Sequence, residues 1–321
     1  MRGSSRLRLW TALWIVYLVW GSTYLGIKIA VRTLPPLLTA GTRFLAAAGI
    51  LALIALAARR SLRVTPREAL AAGGLGVALL TLGVGMVHVA ETRIDSGVAA
   101  MIAGSVPLQI VLMRRLVGEK VPHATAVAAL VGLVGLALVV GPGGFGGGSE
   151  AVGLLIMLSA SVSWALGSFA SRSLRIPSDP LVASAYEMLG GGAVLLVAAV
   201  AAGELGDLDG SSLEPGPLAA WAYLTVVGSV IGFSAYAWLL GNAPISQVVT
   251  HQYVNPLVAV VLGALILDER PGPATLAGAA LIVGAVAVTA SREGRSQAPV
   301  REPTSRPASA APRETRADPT G

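Results

Sequence analysis

From residue 10 to residue 290 the chain is a succession of apolar runs interrupted only by short stretches of Gly, Pro and charge. Crossing the hydrocarbon core takes about 20 mostly apolar residues in a helix, because only there does a single segment satisfy its backbone polar groups without water. Ten runs approach that length: 10–30, 36–58, 69–90, 97–113, 124–140, 152–170, 181–202, 217–240, 246–267 and 274–290. The expected fold is therefore an all-α polytopic membrane protein with ten transmembrane helices. Composition agrees: 12% of residues are charged, against about 25% in soluble domains, and the mean hydropathy is +0.73.

The first run is too long for the core of a signal peptide and lacks a small-x-small cleavage site, so it reads as the first span. Placing the amino terminus inside assigns Arg2, Arg6, Arg8, Arg59, Arg60, Arg63, Arg67, Arg114, Arg115, Lys120, Arg172 and Arg175 to the cytoplasm. The outer loops then hold only Arg32, Arg93 and Arg270, and the connection at 203–216 is acidic. Both termini are thus expected in the cytoplasm of a cell whose inner membrane the chain crosses. The net charge of +6 is spread over these loops rather than gathered on one face, which argues for a lipid bilayer and against nucleic acid as a partner. The absence of Cys removes disulfides, thiolate metal sites and Cys nucleophiles.

Two features break the apolar pattern in a related way. Trp20 and Arg43 are 23 residues apart, as are Trp164 and Glu187, and the two pairs, like Pro36 and Pro180, keep an offset of 144. Ile94 corresponds to Ile245 and Pro107-Leu108 to Pro256-Leu257, with Glu119 and Asp268-Glu269 closing each hairpin. Each copy holds five spans, an odd number, so the second copy enters the bilayer upside down. Two inverted five-helix repeats are the usual architecture of secondary transporters, with a solute site near the midplane. The expected organisation is a cytoplasmic segment 1–9, a first repeat 10–140, a Gly-rich linker 141–150, a second repeat 151–290 and a disordered cytoplasmic tail 291–321.

The motifs Trp20-Gly21-Ser22-Thr23-Tyr24, Arg43-Phe44, Ala90-Glu91, Pro107 before Gly118-Glu119, Ser163-Trp164, Glu187-Met188-Leu189 and Tyr253-Val254-Asn255-Pro256 resemble the EamA-type permeases of the drug/metabolite transporter superfamily, and among them the YedA-like inner-membrane members. The resemblance covers about residues 10–290. It implies a ten-helix exporter of small metabolites or drugs, with a central cavity lined by both repeats. The family's second copy often closes with Gly-Glu, where this chain has Asp268-Glu269.

Several residues are candidates for the solute path. Trp20, Tyr24 and Lys28 are spaced by four and share one face of the first helix. An aromatic pair with a cation suits an anionic or aromatic solute; packing by Trp20 and an interfacial Lys28 is the plainer alternative. Trp164 is the second-half counterpart of Trp20. Arg43 and Glu187 each follow a matching proline by seven residues, about 10 Å into the span, and the pseudo-symmetry sets them across the repeat axis. Two roles stand open for them: a structural or gating pair, or a titrating Glu187 that couples export to protons. His88 and Glu91, at i and i+3, are candidates for sharing a proton or bonding a solute, whereas Arg93 and Asp95 read as ordinary loop. His251, Tyr253 and Asn255 precede Pro256, which interrupts the helical hydrogen bonding, and such breaks commonly lie beside transporter sites. Tyr236 and Ser168 are weaker candidates.

The competing class is an integral membrane enzyme or a non-transporting scaffold. His88, His123 and His251 show no ligand spacing and no paired carboxylates lie within a span, so neither a metal nor another cofactor is expected, and no catalytic residue is assigned. The Gly-rich stretch 141–148 lacks the Gly-Lys-Ser/Thr of a phosphate loop. The expected partners are lipid, a small solute and, if Glu187 titrates, protons; a homodimer is open.

Overall fold

The computed structural model describes residues 2–141, 148–208, 210, 212–243, 248 and 250–296. The central part of the expected Gly-rich linker and the tail beyond residue 296 lie outside the described residues. Those described form helices and turns, with no strand among them. In chain order the helices are α1 (Arg2–Ala30), α2 (Pro36–Ala57), α3 (Pro66–Glu91), α4 (Ser96–Leu116), α5 (His123–Val140), α6 (Gly148–Ser171), α7 (Pro180–Ala201), α8 (residues 215–242), α9 (His251–Leu267) and α10 (Pro273–Ser296). Seven of them, α1 to α4 and α6 to α8, are long and apolar enough to cross a membrane, while α5, α9 and α10 carry shorter apolar helical segments.

Local chemistry sets several of these ends. Thr65 accepts from Glu68 N while Glu68 accepts from Thr65 N at 2.8 Å, a reciprocal cap that starts α3 at Pro66, earlier than hydropathy alone indicates. Asp179 caps α7 by accepting from Leu181 N at 2.9 Å, and Pro36 and Pro180 occupy first-turn positions where no helical donor is lost. Residues 2–9 are helical, α10 runs to Ser296, and α9 is described from His251, while residues 244–247, where the ninth run was expected to start, lie outside the described residues.

Neither half is a set of plain α-helices. Val77–Gly85 in α3 and Leu224–Ile231 in α8 are π-helical. A π-turn frees carbonyls from the i+4 ladder and widens the helix, a form that concentrates at functional sites. Here side chains of neighbouring helices take up backbone oxygens in these stretches: Ser163 Oγ donates to Ala78 O at 2.9 Å and Trp20 Nε1 to Gly228 O at 3.3 Å.

Packing is paired across the two halves. The most extensive contacts join α2 to α7 and α5 to α10; α1 lies against α8 and α9 while α6 lies against α3 and α4. α3 packs on α7 as α8 packs on α2, so each relation has a counterpart with the halves exchanged. Small residues permit the closest approaches. A Cβ at Gly135 would stand 2.7 Å from Gly278 O, and one at Gly76 would collide with the Glu187 backbone. Leu53, Leu70, Leu130, Val197 and Leu265 face outward, 59–77% exposed, as side chains do when the surrounding solvent is lipid.

Side chains tie the two ends of the bundle. At one end, Glu204 caps α2 by accepting from Leu37 N at 3.2 Å and Leu38 N at 2.7 Å. Glu269 caps α4 there, accepting from Ser96 N, Ser96 Oγ and Gly97 N at 2.8–3.0 Å. At the opposite end Arg60 pairs with Asp179 at 2.8 Å, and Glu119 accepts from Arg114 at 2.7 Å and Arg172 at 3.3 Å.

Candidate functional site

The π-helical stretches of α3 and α8 face a central cavity that draws its walls from both halves of the chain. Trp20, Thr23 and Tyr24 line it from α1, Arg43 and Phe44 from α2, Ser161 and Trp164 from α6, and His251, Gln252 and Asn255 from α9. Gly83 and Gly228 contribute from the two π-helical stretches. The cavity volume is about 120 Å³, of the order of the ~150 Å³ engineered cavity that takes up benzene. It therefore has room for a ring-sized group.

One wall is aromatic. Trp20 meets Phe233 at 5.3 Å, Tyr236 at 4.9 Å and His251 at 5.2 Å between ring centroids, separations at which tilted and edge-on rings attract. Gly232 lets the Trp20 indole lie against the α8 backbone. His251 is fixed by a 2.7 Å contact from Nδ1 to Val248 O. With its amide oriented to satisfy the network, Asn255 donates to His251 O at 3.1 Å and to Tyr17 O at 3.2 Å, joining α9 to α1. Elsewhere in the lining, Trp164 lies over Gly83, and Gln109 donates to Ser161 Oγ at 3.0 Å.

Arg43 supplies the charge. It enters from α2 only 3% exposed, its Nε donates to Ser229 Oγ at 3.0 Å, and its guanidinium carbon lies 4.9 Å from the Phe44 ring centre. Nη1 has no hydrogen-bond acceptor among the described residues. No Asp or Glu lines the cavity among the described residues.

The candidates named from sequence separate into two groups. Tyr24, Arg43, Trp164, His251 and Asn255 come together around the cavity. Lys28 does not: its Nζ donates to Glu91 O at 2.8 Å and Ile94 O at 2.7 Å, holding α1 to the carboxyl end of α3. It lies outside the cavity lining, at the end of α3 where the outer interface was the plainer alternative for it. Arg43 and Glu187 form no ion pair among the described residues; Glu187 is half-buried, with its backbone against Gly76 of α3. Matching offsets fix how far along its helix each residue lies but not which way it points around the helix.

His88 and Glu91 are fully buried outside the cavity lining. His88 Nδ1 contacts Val84 O at 2.8 Å, and both Glu91 carboxylate oxygens lack a hydrogen-bond partner among the described residues, so the two share no hydrogen bond. The Tyr253 side chain lies outside the described residues. Tyr236 reaches the aromatic wall through Trp20, and Ser168 is not part of the lining. Ser161, Gln252 and Ser229 were not singled out by the sequence, and Phe44 entered only through the Arg43-Phe44 motif; a small polar residue inside an apolar run, as Ser161 and Ser229 are, is the one signal that marks two of them.

Two segments of the chain, residues 9–141 and 151–291, each match the EamA-like transporter family. An uncharacterized inner membrane transporter of Escherichia coli K12, YedA, is 40% identical over 265 residues, covering 82% of this chain and 84% of that protein. An uncharacterized Bacillus subtilis transporter, YvbV, is 26% identical across 86% of this chain and 90% of its own length. A solved crystal structure of a protein 24% identical superposes with a TM-score of 0.60 over 93% of this chain and all of the other, which establishes a shared fold.

Proposed function

The chain belongs to the EamA-like transporter family and is a membrane transporter, and from that premise we propose that it is a secondary transporter that exports a small solute by alternating access. Ten spans form two inverted five-helix repeats, residues 10–140 and 151–290, that rock about the central cavity. Both termini face the cytoplasm of a cell whose inner membrane holds the protein, as the inner-membrane assignment of its relative YedA and the basic loops support.

The single observation that carries this proposal is the cavity itself: helices from both halves line it, and it contains a buried cation between aromatic walls. A charge inside the hydrocarbon region is costly and marks solute or ion paths. The exchange-symmetric packing of α2 with α7, α5 with α10, and α1 and α6 with their partners is what two repeats related by a half-turn produce. So is the π-helical stretch at the same place in each half.

The test is counterflow in proteoliposomes loaded with an extract of the native cells. Export through the cavity requires protein-dependent exchange of at least one extract component, and Trp164→Ala should reduce it severalfold while the protein remains folded. Absence of exchange across the whole extract would remove the transporter mechanism. Inside-out vesicles separate export from import.

A further inference from the structure

We propose that the cavity binds an organic monoanion, its carboxylate or like oxyanion on Arg43 and its apolar or aromatic body between the Trp20 and Trp164 walls. The proposal rests on the transporter reading and names the class of solute carried.

A guanidinium stays ionised under all physiological conditions and presents five donors in a planar fork. Burying one requires acceptors. The described residues give Arg43 one neutral acceptor, Ser229 Oγ, and the face of one ring, Phe44, while Nη1 finds none. Every ion pair found between described residues lies at Arg60, Arg114 or Arg172, at the end of the bundle remote from Glu269. Arg43 lines the cavity, and no carboxylate among the described residues lines it to supply the missing charge. An incoming carboxylate matches the fork in two parallel charge-assisted bonds, and a single buried cation selects a single negative charge. Among the described residues the lining holds no second Lys or Arg; Phe44, Val84, Val87 and Met157 beside the two Trp residues suit a ring or short chain, and the neutral polar groups of Ser161, Gln252 and Asn255 are open to hydrogen bonding.

Lys28 is excluded from this role by its bonds to Glu91 O and Ile94 O. The choice of anion therefore falls on α2 rather than on the aromatic-cationic face of α1.

The experiment uses the purified full chain in detergent and a head-group series of nearly equal size: phenylacetate, 2-phenylethanol and phenethylamine, with benzoate as a shorter carboxylate. Binding is read by quenching of tryptophan fluorescence and by protection against thermal unfolding. Phenylacetate should bind at least about tenfold tighter than the alcohol, a difference of one decade in affinity, and the amine should give no protection. Arg43→Gln should erase the preference for the carboxylate, and Arg43→Lys should keep it in weakened form. Equal binding of the alcohol or amine, no binding of either carboxylate, or an unchanged preference in Arg43→Gln overturns the proposal. If Arg43→Gln does not purify as a monodisperse protein, the wild-type series and Arg43→Lys still decide. Extract counterflow without any carboxylate preference removes the anion and leaves the transporter; loss of counterflow removes the transporter itself.

Discussion

Glu269 shows how much one side chain contributes at the end of this bundle. Three donors of the first turn of α4 converge on its carboxylate, which does from another loop what a capping residue normally does from its own helix. Glu269→Ala should lower stability by about 1–3 kcal/mol, read as a fall in the thermal midpoint of purified protein. Asp95, one residue before α4, makes no side-chain cap bond. Burial, and then the nearby Glu269, raise its pKa above the ordinary 3.8, with Lys28 partly offsetting. A raised folded value means that the stability tied to this group is present below the unfolded pKa and is lost as pH rises through the folded one. Asp95→Asn should therefore be more stable than wild type at pH 7 to 8, with the gain vanishing below about pH 4. Lys28→Met should cost about 1.5–3 kcal/mol, the worth of hydrogen bonds to a charged group, and leave phenylacetate affinity unchanged, because Lys28 bonds to backbone carbonyls outside the cavity. These side chains also mark what sequence can convey. Arg43 is conspicuous because a charge in an apolar run demands a reason. The fate of Lys28 is invisible, since its acceptors are backbone oxygens some 60 residues away and a carbonyl has no sequence signature.

At the scale of the element, α3 meets α7 through glycine. Gly76 places its backbone against Glu187, and Gly190 lies on Gly73, so any side chain at Gly76 forces the helices apart. Gly74, two residues earlier, faces open space. Gly76→Ala should destabilise by about 1–3 kcal/mol through overpacking, whereas Gly74→Ala should be neutral or add up to about 1 kcal/mol of helix stability; paired unfolding curves of the two variants check both. Hydropathy and prolines made the spans legible, and Pro36 and Pro180 do start α2 and α7. The π-helical stretches were not legible. Val77–Gly85 and Leu224–Ile231 are apolar like their flanks, and the bonds they take from Ser163 and Trp20 come from neighbouring helices, tertiary contacts that no local pattern records. Arg43 and Glu187, for which pairing was one of two open roles, form no ion pair among the described residues; equal offsets set depth, while the direction of each side chain depends on how α2, α7 and α3 pack.

Across the whole molecule, Arg43 and the aromatics Trp20 and Trp164 that interrupt the apolar runs meet in one arrangement, a central cavity shared by two halves. Its aromatic wall joins α1, α8 and α9, its cation comes from α2, and its second Trp comes from α6. Such a cavity transports only if it opens to each side of the membrane in turn. The chain contains no Cys, so Thr23→Cys on the cavity wall introduces a single thiol into an otherwise unreactive protein. The most direct measurement is labelling of that thiol by a membrane-impermeant maleimide, applied to right-side-out and to inside-out vesicles with solute flux followed in both. The expected result is labelling from either face and loss of flux in both cases. Labelling from one face only, or labelling that leaves flux intact, would contradict a central alternating-access pathway.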